Sequence, residues 1–323
     1  MNVDIVRRPL FNSDLLGITH VVARPHAAVI DDIEEKDANF VVLPLTGLFA
    51  KHDGPRSHVI GTPRHAVFIA ARTPYRLSYP GGIGDRCFTL SFSDATRECL
   101  LSVAGSPTSR RSTPLPTHAL LPPDLLIARG CLLRNLMSGQ VDPIEIEESA
   151  ITLLVSVLRV TVPGGRHVAG TGSNRNRRQI ETVKEAIAVH PEHKWNLAEL
   201  SRLVNVSPFH LAHTFKAIAG EPVHRYVTRA RLAKSLDAVL DTNQDFTSVA
   251  LETGFASHSH FSARFRAFFG STPNALRHGR MSKRLAESQQ ERDSVSACRQ
   301  LLWPSVNEAG ETACKAQTYQ RRQ

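Results

Sequence analysis

Apolar residues in the last third of the chain recur at helical intervals, and they do so twice in one arrangement. The first copy runs from Leu200 through Val204-Asn205-Val206-Ser207 to Pro208-Phe209-His210-Leu211 and on to Phe215-Lys216. The second runs from Val249 through Thr253-Gly254-Phe255-Ala256-Ser257 to His258-Ser259-His260-Phe261 and on to Phe265-Arg266. Ser207/Ser257, His210/His260, Leu211/Phe261, Phe215/Phe265, Lys216/Arg266 and Gly220/Gly270 fall in register. Each copy reads as helix, short turn, helix.

In the first copy Asn196 can cap a helix whose buried face is Leu197, Leu200 and Leu203/Val204, with Glu199 at the capping-box position. Asn205 falls at the turn, where Asn tolerates positive φ. Ser207 caps the second helix, and Pro208 sits at its first position, where no N–H is needed. Leu211, Phe215 and Ile218 form the expected inner stripe. In the second copy Asp245 caps, Gly254 turns the chain, Ser257 caps again, and Phe261, Phe265 and Phe268 form the expected stripe. A further short helix is expected from Ser271/Thr272-Pro273 to Arg277.

Pro222 to Asp241, between the copies, reads as one helix with Tyr226, Leu232, Leu236 and Leu240 inward. Its roughly 18 residues give about 27 Å, near the roughly 34 Å between successive major-groove faces of DNA. Arg225, Arg229, Arg231 and Lys234 on it are candidate phosphate contacts or a solvated helix face.

The front of the chain follows a different period. Val41-Val42-Leu43-Pro44-Leu45 and His65–Ala70 are short apolar runs, and Arg86–Phe92 alternates with period two. Asp53-Gly54-Pro55 and Pro80-Gly81-Gly82 are turn signals between them. Residues from about 15 to 95 therefore read as a small antiparallel sandwich or barrel. Asp124–Leu136 and Pro143–Val160 carry helical spacing, either packing back on the β unit or joining two subunits. Residues 163–176, rich in Gly, Ser and Asn, read as a flexible linker. Beyond about Arg280 the sequence is polar and aperiodic, which predicts disorder with a short helix around Ser294–Leu302.

Charge sharpens this division. Residues 1–174 hold 17 Lys/Arg against 16 Asp/Glu, whereas residues 175–280 hold 15 against 9. Most of the +9 formal charge thus lies with the repeat, as phosphate binding requires. The five cysteines, Cys87, Cys99, Cys131, Cys298 and Cys314, are scattered and odd in number, so free thiols are expected. No apolar run reaches membrane-spanning length, and no basic-then-apolar leader opens the chain. A cytoplasmic location, away from any membrane, is the expectation.

The residues of the repeat carry a family resemblance. Leu200, Val206-Ser207-Pro208, His210-Leu211, Phe215-Lys216, Gly220, Tyr226, Arg231-Leu232, Ala250, Gly254-Phe255, Ser257, Ser259-His260-Phe261, Phe265, Phe268, Gly270 and Thr272-Pro273 resemble the AraC/XylS-family DNA-binding domain. The resemblance implies seven helices, two helix-turn-helix units and transcription regulation, usually activation, on double-stranded promoter DNA with RNA polymerase as a partner. The family commonly has Arg at the positions of His213 and Ala263, and often Gln at that of His258. The operator sequence is therefore not inferable from relatives.

More weakly, Val41–Gly47, Asp53-Gly54, Arg64–Ala71 and Thr73–Leu77 through Phe92 resemble the family's cupin-like sensor domain. That implies a small-molecule effector or self-association as a homodimer.

The expected fold class is α+β: an N-terminal cupin-like β-barrel, then helices, then an all-α domain with two helix-turn-helix units. The expected boundaries are 1–120 sensor, 121–162 helical support or dimerisation region, 163–176 linker, 177–280 DNA-binding domain and 281–323 tail. The expected DNA contacts are Ser207, Phe209, Ala212, His213 and Lys216, with His258, Ser259, Ser262, Ala263 and Arg266.

No cofactor, metal or catalytic residue is expected. His258 and His260, two residues apart, would point away from each other on a helix. His52 and His58 lie near Asp53 without the tight His-x-His and following Glu of a metal-binding cupin. The competing classes are a cupin-type metal enzyme with an appended DNA-binding domain, and an effector-independent DNA-architectural protein.

Overall fold

The computed structural model describes residues 3–27, 30–54, 57–105, 114–161, 174–241 and 243–278. Most of the expected linker, and the expected tail with its helix around Ser294–Leu302, lie outside them. Among the described residues the N-terminal half holds nine strands, β1 Val3–Asn12, β2 Leu16–Pro25, β3 Asn39–Gly47, β4 Phe49–Gly54, β5 Ser57–Gly61, β6 His65–Ile69, β7 Arg76–Ser78, β8 Asp85–Phe92 and, after the first helix, β9 His118–Leu120. They form a six-stranded sheet in the order β1-β2-β8-β3-β6-β9 and a three-stranded sheet in the order β5-β4-β7. The strand pairs are antiparallel. Among the described residues this pairing closes no ring.

Alternation along β8 explains the layering. Phe88, Leu90 and Phe92 are buried in one core with Ile18, Val41 and Leu43. Cys87 is buried in another with Val42, Val67, Phe49 and Tyr79, beneath the small sheet. Side chains of period two cover both faces of a sheet, so β8 needs apolar partners on each. The expectation of strands from about residue 15 missed β1. That strand is a sheet edge with mostly exposed positions, and its register slips between Pro9 and Phe11. A proline tolerated at an edge bulge leaves no apolar signature to read.

Helices α1 Asp94–Val103, α2 Pro123–Ser138 and α3 Pro143–Thr161 contribute to the first core. Ser93 caps α1 by accepting from the Thr96 N–H. The C-terminal helices are α4 Asn174–Val189, α5 Leu197–Leu203, α6 Pro208–Ala219, α7 Val223–Asp241, α8 Phe246–Glu252, α9 His258–Phe269 and α10 Pro273–Arg277. Residues 174–176, expected in the linker, belong to α4. No helix of the described residues is long and apolar enough to cross a membrane.

The two halves share one core. Leu43, Phe68, Leu126 and Leu154 belong to the same buried cluster as Leu236, Phe255, Phe261 and Phe265. Helices α2 and α7 pack against each other across the two halves. A Cβ on Gly130 would lie 2.2 Å from Leu240 Cδ1, so any larger residue there would require the Leu240 side chain to shift. Beside it Arg129, wholly buried, donates to the carbonyls of Pro44 at 2.5 Å and Pro63 at 2.7 Å. Its other terminal nitrogen lies 3.8 Å from the Asp237 carboxylate on α7.

Asp85, at the start of β8, gives the β unit a measurable pH signature. Burial pushes its carboxyl up to about 7, although a hydrogen bond with Cys87 pulls the other way. The folded chain therefore holds this proton more tightly than the unfolded chain. The contribution to stability is full in acid and is lost as pH rises from the unfolded value through about 7. Asp85→Asn should stabilise the protein increasingly between about pH 5 and pH 8, by at most about 4 kcal/mol at the upper end. Melting curves at the two pH values check this, and a gain independent of pH would contradict it.

Candidate nucleic-acid interface

The first helix-turn-helix unit is built by its caps and turn. Asn196 Oδ1 accepts the Glu199 N–H at 2.9 Å and starts α5. Glu199 does not complete the capping box as expected. Its carboxylate lies 2.9 Å from His193 Nε2 instead. Asn205 takes φ 53°, the left-handed turn that the sequence predicts. Ser207 Oγ then accepts the His210 N–H at 3.2 Å and starts α6 behind Pro208. Leu211 and Phe215 are buried with Ile180, Val183 and Ile187 of α4 and with Leu200. Phe215 meets Tyr226 of α7 edge to face, ring centres 5.4 Å apart.

The second unit repeats this with other residues. Asp245 accepts the N–H groups of Thr247 and Ser248, and hydrogen bonds from Thr247 first and Ser248 next hold its carboxyl below the usual range. Gly254 takes φ 86° at the turn, where a Cβ would come within 2.5 Å of the Glu192 carbonyl. Ser257 Oγ caps α9 through the His260 N–H at 3.2 Å. The inner stripe of α9 is Phe261, Phe265 and Phe269. Phe268, expected in that stripe, is half-buried, with the Arg229 guanidinium 5.6 Å from its ring centre. Thr272 caps α10 as expected.

The outer faces of α6 and α9 hold the predicted contact residues in unequal states. Phe209 is 84% exposed at the start of α6. His213 and Lys216 are exposed, while Ala212 is half-buried in a groove of about 380 Å³ that Trp195, His224 and Arg231 also line. On α9, His258, Ser259, Ala263 and Arg266 are exposed and Ser262 is half-buried. His258 stacks on Phe246 and its Nε2 lies 3.1 Å from Ser262 Oγ, which fixes both side chains. The hydroxyl of Ser207 is engaged as a cap, so its part toward a ligand is positional. Arg264, exposed on α9 and 3.4 Å from His260 Nε2, is a basic residue that sequence reasoning did not single out.

The linking helix corrects the expectation about its cations. Arg231 donates to the carbonyls of Pro191, His193 and Gly254 at 2.7, 2.8 and 2.8 Å, tying the two units together. Lys234 pairs with Glu192 at 2.7 Å and Arg229 with Glu221 at 2.8 Å. These three are structural ties. Arg225 is exposed. The 19 residues of α7, which join the two units, span about 28 Å. Among the described residues no group of three or more His, Cys, Asp or Glu could hold a metal ion.

Comparison with known proteins places this geometry. A family model described as "Helix-turn-helix domain" matches residues 200–279. A putative AraC-like transcription regulator of Streptomyces lividans is 29% identical over 132 residues, covering 41% of this chain and 43% of that protein. The HTH-type transcriptional regulator MtrA of Neisseria gonorrhoeae is 27% identical over 127 residues, covering 39% and 42%. The chain thus spans less than half the length of these two relatives. Among solved structures, the DNA-binding domain of the global transcriptional factor AdpA, in complex with a target DNA, shares 18% identity. It covers 34% of this chain and 98% of that chain, at a TM-score of 0.31.

Proposed function

We propose that this chain, whose C-terminal segment is an AraC-type helix-turn-helix domain, is a cytoplasmic transcription regulator. It reads promoter DNA with α6 and α9 in two successive major grooves. The observation that carries the reading is the pair of capped helices, joined through α7, each with an exposed outer face that carries hydrogen-bonding and basic side chains. Phe209 and Ala212 offer apolar contact to thymine methyls. His213, His258, Ser259 and Ser262 offer hydrogen bonds to base edges, with Ala263 a second apolar contact. Lys216 and Arg266 neutralise phosphates, and Ser207 sets the register of α6.

The N-terminal half responds to a small-molecule effector, and the chain works as a homodimeric activator that engages RNA polymerase. The shared core supports coupling, because a change in the β unit has a packed path to α7 and α9.

Salt dependence tests the DNA reading. Full-length protein should lose about a thousandfold or more in affinity for its DNA between about 50 and 200 mM salt, as several phosphate contacts require. Binding that ignores salt would overturn the assignment.

A further inference from the structure

The two helix-turn-helix units differ at the first residue of each helix. Phe246 opens α8 and His258 opens α9, where Leu197 opens α5 and Pro208 opens α6. A proline side chain offers a base edge no hydrogen bond, whereas an imidazole brings two ring nitrogens. The second unit therefore has a polar reader at a position where the first has none.

That reader is held from two sides. The His258 ring lies nearly parallel to that of Phe246, with 12° between their planes and 6.2 Å between their centres. Phe246 is itself fixed. It packs half-buried against the main core, and the Arg277 guanidinium of α10 lies 3.8 Å from its ring centre. Arg277 in turn donates to the Val239 and Ala238 carbonyls of α7, at 3.0 and 3.4 Å. Packed groups thus run from α7 through α10 and α8 to the exposed start of α9. On α9 itself, His258 Nε2 lies 3.1 Å from Ser262 Oγ, which leaves Nδ1 for a base.

When the Ser262 hydroxyl donates to Nε2, the ring proton sits on Nδ1, and a ring protonated near polyanionic DNA also carries one there. Nδ1 is then a donor. Guanine sets two acceptors, N7 and O6, side by side in the major groove. Adenine places an amino donor beside its N7, and thymine a methyl group beside its O4. A single donor held in one place therefore favours guanine.

We propose that Phe246 is a positioning residue for base recognition: it holds His258 so that Nδ1 donates to guanine N7 in the groove read by α9. This rests on the reading of α9 proposed above, and adds the base and the residue behind the reader.

Selection from a random DNA pool by the full chain and its variants tests this, with His213→Ala marking the patch that α6 reads. In the other patch, wild type should enrich guanine at one position. Replacing that guanine with adenine, or with 7-deazaguanine, which lacks N7, should weaken wild-type binding at least about fivefold. Phe246→Leu and His258→Ala should each lose that preference and keep the preferences of the α6 patch. Phe246→Tyr, which retains the stacking ring, should restore it. Adding Phe246→Leu to His258→Ala should change no preference further. Melting curves reveal a variant that has lost its fold. Should Phe246→Leu do so, Ser262→Ala should still weaken the guanine preference by releasing Nε2.

A guanine preference kept by well-folded Phe246→Leu would overturn the positioning role. So would an equal loss at both patches, because a merely structural residue acts on all sites alike. Enrichment of another base, or indifference to 7-deazaguanine, would overturn the donor contact. Wild type that selects no two-patch site sinks the reading of α9 itself, whereas a two-patch site without the Phe246 effect sinks this proposal alone.

Discussion

Phe265→Asp should unfold the second helix-turn-helix unit and abolish DNA binding. Phe265 is fully buried, its ring centre 5.4 Å from that of Phe261 and 4.5 Å from that of Phe269. Truncating such a phenylalanine costs about 3–5 kcal/mol, and placing an unpaired carboxylate there costs several more. A domain holds only about 5–15 kcal/mol in all. Phe265 shares its core with Leu43 and Leu126 of the N-terminal half, so the loss should spread across the chain. Circular dichroism should show a grossly destabilised protein. His213→Ala, on the exposed face, should keep the wild-type melting curve while changing which DNA is preferred. A Phe265→Asp protein that melts like wild type would contradict the packing described here.

Arg129→Ala should be nearly as damaging, for a different reason. The guanidinium is wholly buried and links the Pro44 and Pro63 carbonyls to Asp237 on α7. Removing one partner of a buried pair costs about 3–5 kcal/mol, because the remaining polar groups keep their desolvation penalty. Asp237→Ala should recover part of that loss when combined with Arg129→Ala. Denaturant titration of the two single variants and the double variant should give a coupling of about 1 kcal/mol or more. Strictly additive losses would mean that Arg129 acts within the β unit alone and does not tie the halves together.

Local rules made the helix-turn-helix units legible. Ser207, Asp245, Ser257 and Thr272 cap where their sequence positions indicate, and Asn205 and Gly254 take the positive φ their turns need. Such signals act within three or four residues and can be read one at a time. Phe268 and Phe269 could not be told apart that way, since both lie within a helical step of Phe265. Packing against the rest of the second unit decided for Phe269.

The cations were least legible. Arg129, Arg231 and Lys234 look like surface charges in a sequence, yet each has its partners on a distant segment. Only tertiary contacts separate a tie such as Arg231 from an exposed residue such as Arg225. The outward residues of α6 and α9 are legible as a surface, but no local rule converts His213, His258 and Ala263 into a base sequence.

Hydroxyl-radical footprinting of the full chain on DNA selected from a genomic pool tests the central claim most directly. Two protected patches on one face of the duplex, centred about one helical turn or roughly 10 base pairs apart, are predicted. A single patch, or protection spread evenly without regard to sequence, would contradict the reading of α6 and α9 as paired major-groove readers.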